Sequence, residues 1–365
     1  MRAMTPGRRL PPFFSKRHDL VFHKNKADRI FIKLNLQRFR KSGKMFRKVF
    51  VAESARVAEQ FLRVLKGPDG VTAVAIKIMD IVGRISYNCD ILFRVIDIKE
   101  INGEKQAILY GEDVRLIADA PCHDLVVIDP AEKMKRSREF RSLEEQSYRL
   151  FQQDFDLLKQ KQEYHLTDGY AKEMKYFQLP GRVLHLDGDP NYLKKCLHLY
   201  EKIGVPVTGI YCHETEMPAK VSYLLDYYRP DILVITGHDS YSRSKGTYRD
   251  INAYRHSKHF VQTVREARKK VPHLDQLAIF AGACQSHFES LIEAGANFAS
   301  SPSRVNIHAL DPVYIVAKIC FTPFTESVKV WDVLRNTMTG EKGLGGIESR
   351  GVLRIGMPYN AEMQE

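Results

Sequence analysis

From residue 180 onward, short apolar runs alternate with helical faces, and that alternation restricts the chain to one broad class of fold. The runs are VLHL at 183–186, VTGIY at 207–211, DILVI at 231–235 and LAIF at 277–280. Between them, Leu193, Cys196, Leu197 and Tyr200 fall at i, i+3, i+4 and i+7, a single helix face. Val221, Leu224, Leu225 and Tyr228 repeat the spacing before Pro230, and Phe260, Val261, Val264 and Ala267 repeat it before Pro272. Phe288, Leu291 and Ile292 open a further helix, capped by Gly295. Strands alternating with helices at this period predict a parallel sheet with right-handed crossovers, an α/β fold. In such sheets chemistry gathers just past the carboxyl ends of the strands.

The chain before residue 180 reads differently. DIVGRIS, DILFRVIDI, QAILYGEDVRLIA and DLVVI, between residues 80 and 128, are short, alternating and split by turn residues such as Asn102-Gly103, and they predict a small β-barrel of four or five strands. Residues 131–164 are charged and lack Gly and Pro. Phe140, Leu143, Ser147, Leu150, Asp154 and Leu157 make a broken apolar stripe there, which predicts one long helix or a helical pair as a connector; its two polar positions argue against a self-associating coil. The division expected is a basic, disordered extension (1–73), a small β-barrel (74–130), a helical connector (131–178) and an α/β domain (179–365).

A net charge of +12 invites a nucleic-acid reading, but residues 1–78 hold 19 Lys and Arg against 5 Asp and Glu, so the remainder is close to neutral. The extension lacks a pattern that would bury a core, and a natural start near Val71 or Val74 is expected. No apolar run approaches a membrane span or the core of a signal peptide, so a cytoplasmic location is expected. Six separated cysteines without a C-x-x-C pair suit a reducing compartment.

Two strand ends carry the chemistry. The third run of the α/β segment ends in Thr236-Gly237-His238-Asp239, the fourth in Gly282-Ala283-Cys284. On neighbouring strands, about 5 Å apart, the imidazole and the sulfur face one another as acid/base and nucleophile. Gly237, Gly282 and Ala283 let a substrate backbone approach. The helix after Cys284 offers free N–H groups that lower a thiol pKa and bind an oxyanion.

A strand ending in His, followed about 50 residues later by one ending in Ala-Cys, resembles the clan of caspases, gingipains, clostripain and legumain. The segments DILFRVIDI, PGRVLHLDGD, EKIGVPV, YRPDILVITGHDSYS, NAYRHSKHFV, PHLDQLAIFAGACQSHFESLIEAGANFASSPSRVNIHALDPVYIVAKI and GLGGIESRGVLRIGMPY resemble the YabG family of sporulation-specific peptidases of spore-forming Firmicutes. The likeness runs from about residue 74 to 362. It implies a caspase-like parallel sheet with flanking helices and a cysteine peptidase, needing no cofactor or metal, that trims spore coat proteins in the mother cell. It places the catalytic pair on Cys284 and His238. Where the wider clan has Gly after the His, this chain has Asp239, whose N–H is then the second oxyanion donor. Cleavage after basic residues is expected, read by a buried carboxylate, with Asp239 and Asp311 as candidates. Self-processing is also open.

Rival readings remain beside this one. Cys284 and His238 have structural alternatives, and His213 and His287 are rival bases. Cys212, His213, His238 and Cys284 all follow strand ends and could gather around zinc, although no spaced ligand pair is present. A glutamine amidotransferase would want a His-x-Glu after the cysteine, which Asn306-Ile307-His308-Ala309-Leu310 does not supply. Asp187 and Asp189 read as turn residues in preference to a magnesium-binding pair. Gly340, Gly343, Gly345 and Gly346 read as a mobile loop, with Glu348 and Arg350 flanking a cleft. The alternative class is a non-catalytic nucleic-acid-binding or scaffold protein.

Overall fold

Alternation of buried and exposed side chains builds the first sheet. In the computed structural model, which describes residues 75–356 apart from residue 102 and residues 168–175, β1 (Ile81–Arg84), β2 (Phe93–Ile101), β3 (Glu104–Gly111), β4 (Ile117–Pro121) and β5 (Leu125–Val127) pair antiparallel in the order β4-β3-β2-β1-β5. Val82, Phe93, Val95, Ala107, Leu109 and Ala120 point to one face and form its core. β4 and β5 are the two edges of this ladder. The run QAILYGEDVRLIA is therefore two strands, parted after Gly111 by a loop over residues 112–116. The expectation for residues 1–73 lies outside the described residues.

α1 (Pro130–Thr167) covers the predicted helical stretch, with Phe140, Ser147 and Asp154 of the expected stripe turned inward and its three leucines not. Phe151 and Phe155 pack at a tilt against Tyr314 and Phe321, Phe140 lies against His308, and Asp154 accepts from Arg335 and Asn336. Leu143, Leu150 and Leu157 face solvent. Aromatic side chains carry more apolar area than leucine, and they set the rotation of the helix.

The second part of the chain runs β6 (Phe177–Leu179), β7 (Val183–Asp187), α2 (Pro190–Ile203), β8 (Val207–Tyr211), α3 (Met217–Tyr228), β9 (Ile232–Thr236), α4 (Ser257–Lys270), β10 (Ala278–Ala281), α5 (Phe288–Glu293), β11 (Phe298–Ser300) and α6 (Asp311–Phe321). It ends with β12 (Ser327–Val328), α7 (Val330–Leu334), α8 (Gly340–Gly343), β13 (Leu344–Gly346), β14 (Ser349–Arg350) and β15 (Arg354–Gly356). The main sheet has the order β13-β11-β10-β9-β7-β8, parallel except for the β11–β13 pair. Every residue of β7, β9 and β10 is buried, as expected of parallel strands covered on both faces. One face packs Val183, Val234, Phe280 and Cys196 against α6 residues such as Tyr314 and Val316. The other packs Leu186, Leu233 and Ile279 against Val221, Phe260 and Val264. The glycines read as a mobile loop form α8 and the edge strand β13, where Gly346 leaves room for Phe298. Among the described residues no helix is long and apolar enough to cross a membrane.

The crossover helices follow their sequence signals. α2 opens on Asp189, whose Oδ1 accepts from the N–H groups of Asn191 (2.8 Å) and Tyr192 (3.0 Å), has Pro190 at its first position, and closes on Gly204 at φ 84°. The turn reading of Asp187 and Asp189 thus holds locally. Both carboxylates also have a second set of partners.

Candidate functional site

Parallel pairing puts the two singled-out residues at one level. Ile235 on β9 is opposite Ala281 on β10, so His238 and Cys284 each stand three residues past a paired position at the carboxyl edge of adjacent strands. The turn out of β10 is tight. Gly282 adopts φ 109° and Gln285 φ 57°, and a Cβ at Gly282 would lie 2.4 Å from Ser300 Oγ and 2.9 Å from Leu291 Cδ1. Ser300 Oγ donates to Ala283 O (2.8 Å), Ala283 N–H donates to Ser286 Oγ (2.9 Å), and Gln285 N–H donates to Val305 O (3.0 Å), which fixes the turn from three sides. Gly282→Val is expected to lower unfolding free energy by about 3 kcal/mol or more, from strain and overpacking together; urea denaturation of the two proteins checks it.

The Cys284 thiol is fully buried and donates to Ile307 O at 3.7 Å. Burial pushes its pKa up to about 11, against the opposing pull of the Ile307 backbone and the Arg115 charge. In this arrangement the sulfur is a neutral thiol. The N–H groups of Cys284 and Asp239 take no acceptor among the described residues.

His238 is held between two acids. Its Nε2 stands 3.1 Å from Asp189 Oδ2 and its Nδ1 3.4 Å from Glu214 Oε1, while its own backbone N–H donates to Glu214 Oε1 at 2.7 Å. Tyr110 of β3 donates its hydroxyl to Asp189 Oδ2 at 2.7 Å and presents its ring to the imidazole at 6.0 Å. Burial by itself would lower the His238 pKa, but hydrogen bonds and charge from Asp189 and Glu214 outweigh it and raise the value above its usual range. Glu214 responds in the opposite sense: burial would raise it, yet the imidazole and backbone donors draw its carboxyl down to about 2. Asp189 is pulled below its normal range by the same balance, with His238 and Tyr110 as the leading donors. Glu214 fits because Gly188 and Gly237 carry no side chain. A Cβ there would sit 2.1 Å and 2.4 Å from its Oε1.

A cavity of about 270 Å³ opens over these groups, lined by Gly188, Asp189, His213, Glu214, His238, Arg255, His256 and Ile117. Cys284 is not on its wall. No hydrogen bond joins the sulfur to the imidazole, both of whose nitrogens face carboxylates.

The other candidates divide by environment. Asp239 accepts from the N–H groups of Ser240 (2.9 Å) and His256 (2.8 Å) and from the hydroxyls of Ser257 and Ser286, so it ties the turns after β9 and β10 together. Asp311 accepts from Met338 N–H (2.7 Å) and from the N–H and hydroxyl of Thr339. Both carboxylates are occupied by internal donors. His287 caps α5 through Nδ1 and meets Arg249 O with Nε2 at 3.2 Å, and His213 is half exposed and bonded to Thr215 Oγ1 at 2.9 Å. Cys212 packs in the second core and Cys196 in the first. No group of three or more His, Cys, Asp or Glu arranged to hold a metal is present among the described residues. Arg350 stands 3.7 Å from Asp275, a surface pairing.

Sequence reasoning does not reach Tyr110 or Glu214, and it weighs Asp189 as a turn residue against half of a magnesium-binding pair, never as a partner of His238. Asp189 and Glu214 each lie just past a strand end, like His238, and that shared position was the available signal. Tyr110 gave none, since it belongs to the antiparallel sheet.

A largely parallel sheet with ionisable side chains gathered at its carboxyl edge is the α/β arrangement in which ligand sites form. The chain belongs to the family described as YabG peptidase U57, whose model matches residues 77–358, and is accordingly a member of a family of proteases. A curated relative, the sporulation-specific protease YabG of Bacillus subtilis strain 168, is 65% identical over 286 residues, covering 78% of this chain and 99% of the relative. No solved structure matches the chain.

Proposed function

We propose that the chain is a cysteine endopeptidase of sporulation, with Cys284 as nucleophile and His238 as acid/base. The register of β9 and β10, which carries both residues to one level of one sheet edge, is the observation that supports this reading most. The unpaired N–H groups of Cys284 and Asp239 are suited to bind the oxyanion of a tetrahedral intermediate. Asp189 and Glu214 favour the imidazolium form of His238, the partner a thiolate needs. In the working ion pair the Cys284 thiolate attacks the peptide carbonyl, the imidazolium gives its proton to the departing amine, and a water deprotonated by the imidazole then cleaves the thioester.

The similarity to the sporulation-specific protease of Bacillus subtilis supports sporulation as the setting, and the substrates, their location and the cleavage site are part of this proposal. The substrates are proteins of the developing spore coat, reached in the mother-cell cytoplasm, and cleavage follows basic residues. The caspase-like arrangement of segment 179–365, behind a barrel (74–130) and a helical connector (131–178), belongs to the same reading. The chain's own processing is compatible with it.

The test labels the protein with an arginine-directed, thiol-reactive peptide probe and reads intact mass. One adduct on the wild type, absent from Cys284→Ala and lost on His238→Ala, is the expected pattern. An adduct that persists in Cys284→Ala sinks the assignment.

A further inference from the structure

A substrate's basic side chain needs a buried acid beside the nucleophile, and the sheet edge already holds an arginine against one. The loop after β3 carries Arg115 into the first core, where its side chain is only 1% exposed. Its Nη1 stands 2.8 Å from Asp187 Oδ2, and its Nη2 donates to Cys196 Sγ (3.2 Å) and Ala309 O (3.4 Å). Tyr192 flanks the guanidinium at 5.4 Å and holds the loop by donating its hydroxyl to Gly111 O (3.0 Å) and Val114 O (2.9 Å). The segment 307–309 touches both groups: Ala309 O accepts from the Arg115 guanidinium at 3.4 Å and Ile307 O from the Cys284 thiol at 3.7 Å. The cationic side chain of Arg115 thus lies on an acid, next to the chain segment that holds the sulfur.

The pocket does not depend on the loop that fills it. Asp187 ends β7, where its Oδ1 accepts from Asp189 N–H (2.9 Å) and its Oδ2 from Thr236 Oγ1 (3.0 Å), with His185 3.5 Å away. Cys196 and Tyr192 belong to α2, and Ala309 precedes α6. All are parts of the main sheet and its helices, whereas Arg115 comes from the antiparallel sheet. The guanidinium fits incompletely: its Nε and Nη1 are buried with no hydrogen-bond acceptor among the described residues, and Nη1 meets Asp187 by charge alone. A buried arginine kept only for stability is poor value, since burying both charges costs about as much as their attraction returns.

We propose that Arg115 is an internal ligand of the pocket that reads the substrate's basic side chain, and that Asp187 is the carboxylate that reads it. This rests on the Cys284 and His238 reading, and replaces Asp239 and Asp311 as specificity candidates. The 112–116 loop then holds the site closed, and a substrate gains entry by displacing it.

The experiment compares the full chain with Arg115→Gln and Arg115→Gln/Asp187→Asn. It measures the rate of Cys284 alkylation by iodoacetamide, by intact mass, and the thermal shift given by agmatine, a free alkylguanidinium. In Arg115→Gln, alkylation is expected to rise about tenfold as the open population grows, and agmatine raises Tm in this variant alone. The double variant alkylates fast but ignores agmatine, because a neutral floor does not attract a cation. A folded Arg115→Gln that alkylates at the wild-type rate and shows no agmatine shift overturns the proposal. Should Arg115→Gln fail to fold for want of a partner to Asp187, the double variant, neutral at both positions, decides: unchanged alkylation overturns the proposal and faster alkylation upholds it. An agmatine shift in a protein whose Cys284→Ala variant still cleaves peptides keeps the pocket and removes the nucleophile assignment. The converse pattern keeps the nucleophile and removes the pocket.

Discussion

Cys284→Ala is expected to lower the rate of peptide cleavage by at least about a thousandfold, the scale on which enzymes lose a covalent nucleophile. Stability should change little. The substitution removes one sulfur atom from the core and one long hydrogen bond to Ile307 O, a cost of about 1 kcal/mol. In a chain of this size that amounts to a drop in Tm of roughly 2–4 °C. Initial rates on a fluorogenic peptide with arginine before the scissile bond, beside a thermal melt, separate the two effects. Near wild-type cleavage by the folded variant would move the nucleophile elsewhere. A loss of activity matched by global unfolding would leave the sulfur a packing group, and the melt distinguishes that case.

The carboxylates around His238 carry the next largest effect. Asp189→Asn and Glu214→Gln each remove an acceptor from the imidazolium and are expected to reduce cleavage by about 10- to 100-fold. They also shift its pH dependence. In the wild type the His238 pKa lies above its usual range, so activity that needs the imidazolium persists past neutrality and falls as pH rises through that raised value. Removing either acid weakens the opposition to burial, and the alkaline limb moves to lower pH. Stability follows with consistent sign. The His238 contribution is complete below its unfolded pKa, about 6.5, and is lost as pH rises through the raised one. That of Glu214, drawn down to about 2, is present above its unfolded value and lost as pH falls toward 2. The wild type should therefore melt highest between these limits, and the double variant should lose that maximum. Superimposable pH–rate profiles for wild type and variants would show that the acids do not act on His238.

The loop at 112–116 shows where periodicity stops informing. QAILYGEDVRLIA has strand composition throughout, and alternation alone does not show that Gly111 ends one strand and Ile117 begins another. Nor does composition explain Arg115, because a lone charged residue in a strand-like run ordinarily faces water. Its burial depends on Asp187, 72 positions away in the chain and brought near by the packing of two sheets. The helix over 130–167 makes the same point. Its presence follows from charged, Gly-free sequence, but its rotation was set by what Phe151 and Phe155 found to pack against.

By itself the sequence determined whatever depends on neighbours within a few residues. Uninterrupted apolar runs specified buried parallel strands, i, i+3, i+4 spacing specified the faces of α2, α3 and α4, Asp189 and Gly204 specified the ends of α2, and two strand ends marked His238 and Cys284. Tertiary structure decided what depends on residues far apart. It joined β9 to β10 in the register that levels those two residues. It also brought Asp189, Glu214 and Tyr110 around the imidazole, and it buried the Cys284 thiol against Ile307 O. The physical reason is one of range: backbone hydrogen bonding and side-chain periodicity are written locally. A charge's pKa, a thiol's access to solvent and a pocket's occupant are set by desolvation and by opposite charges that only the folded chain brings within a few ångströms.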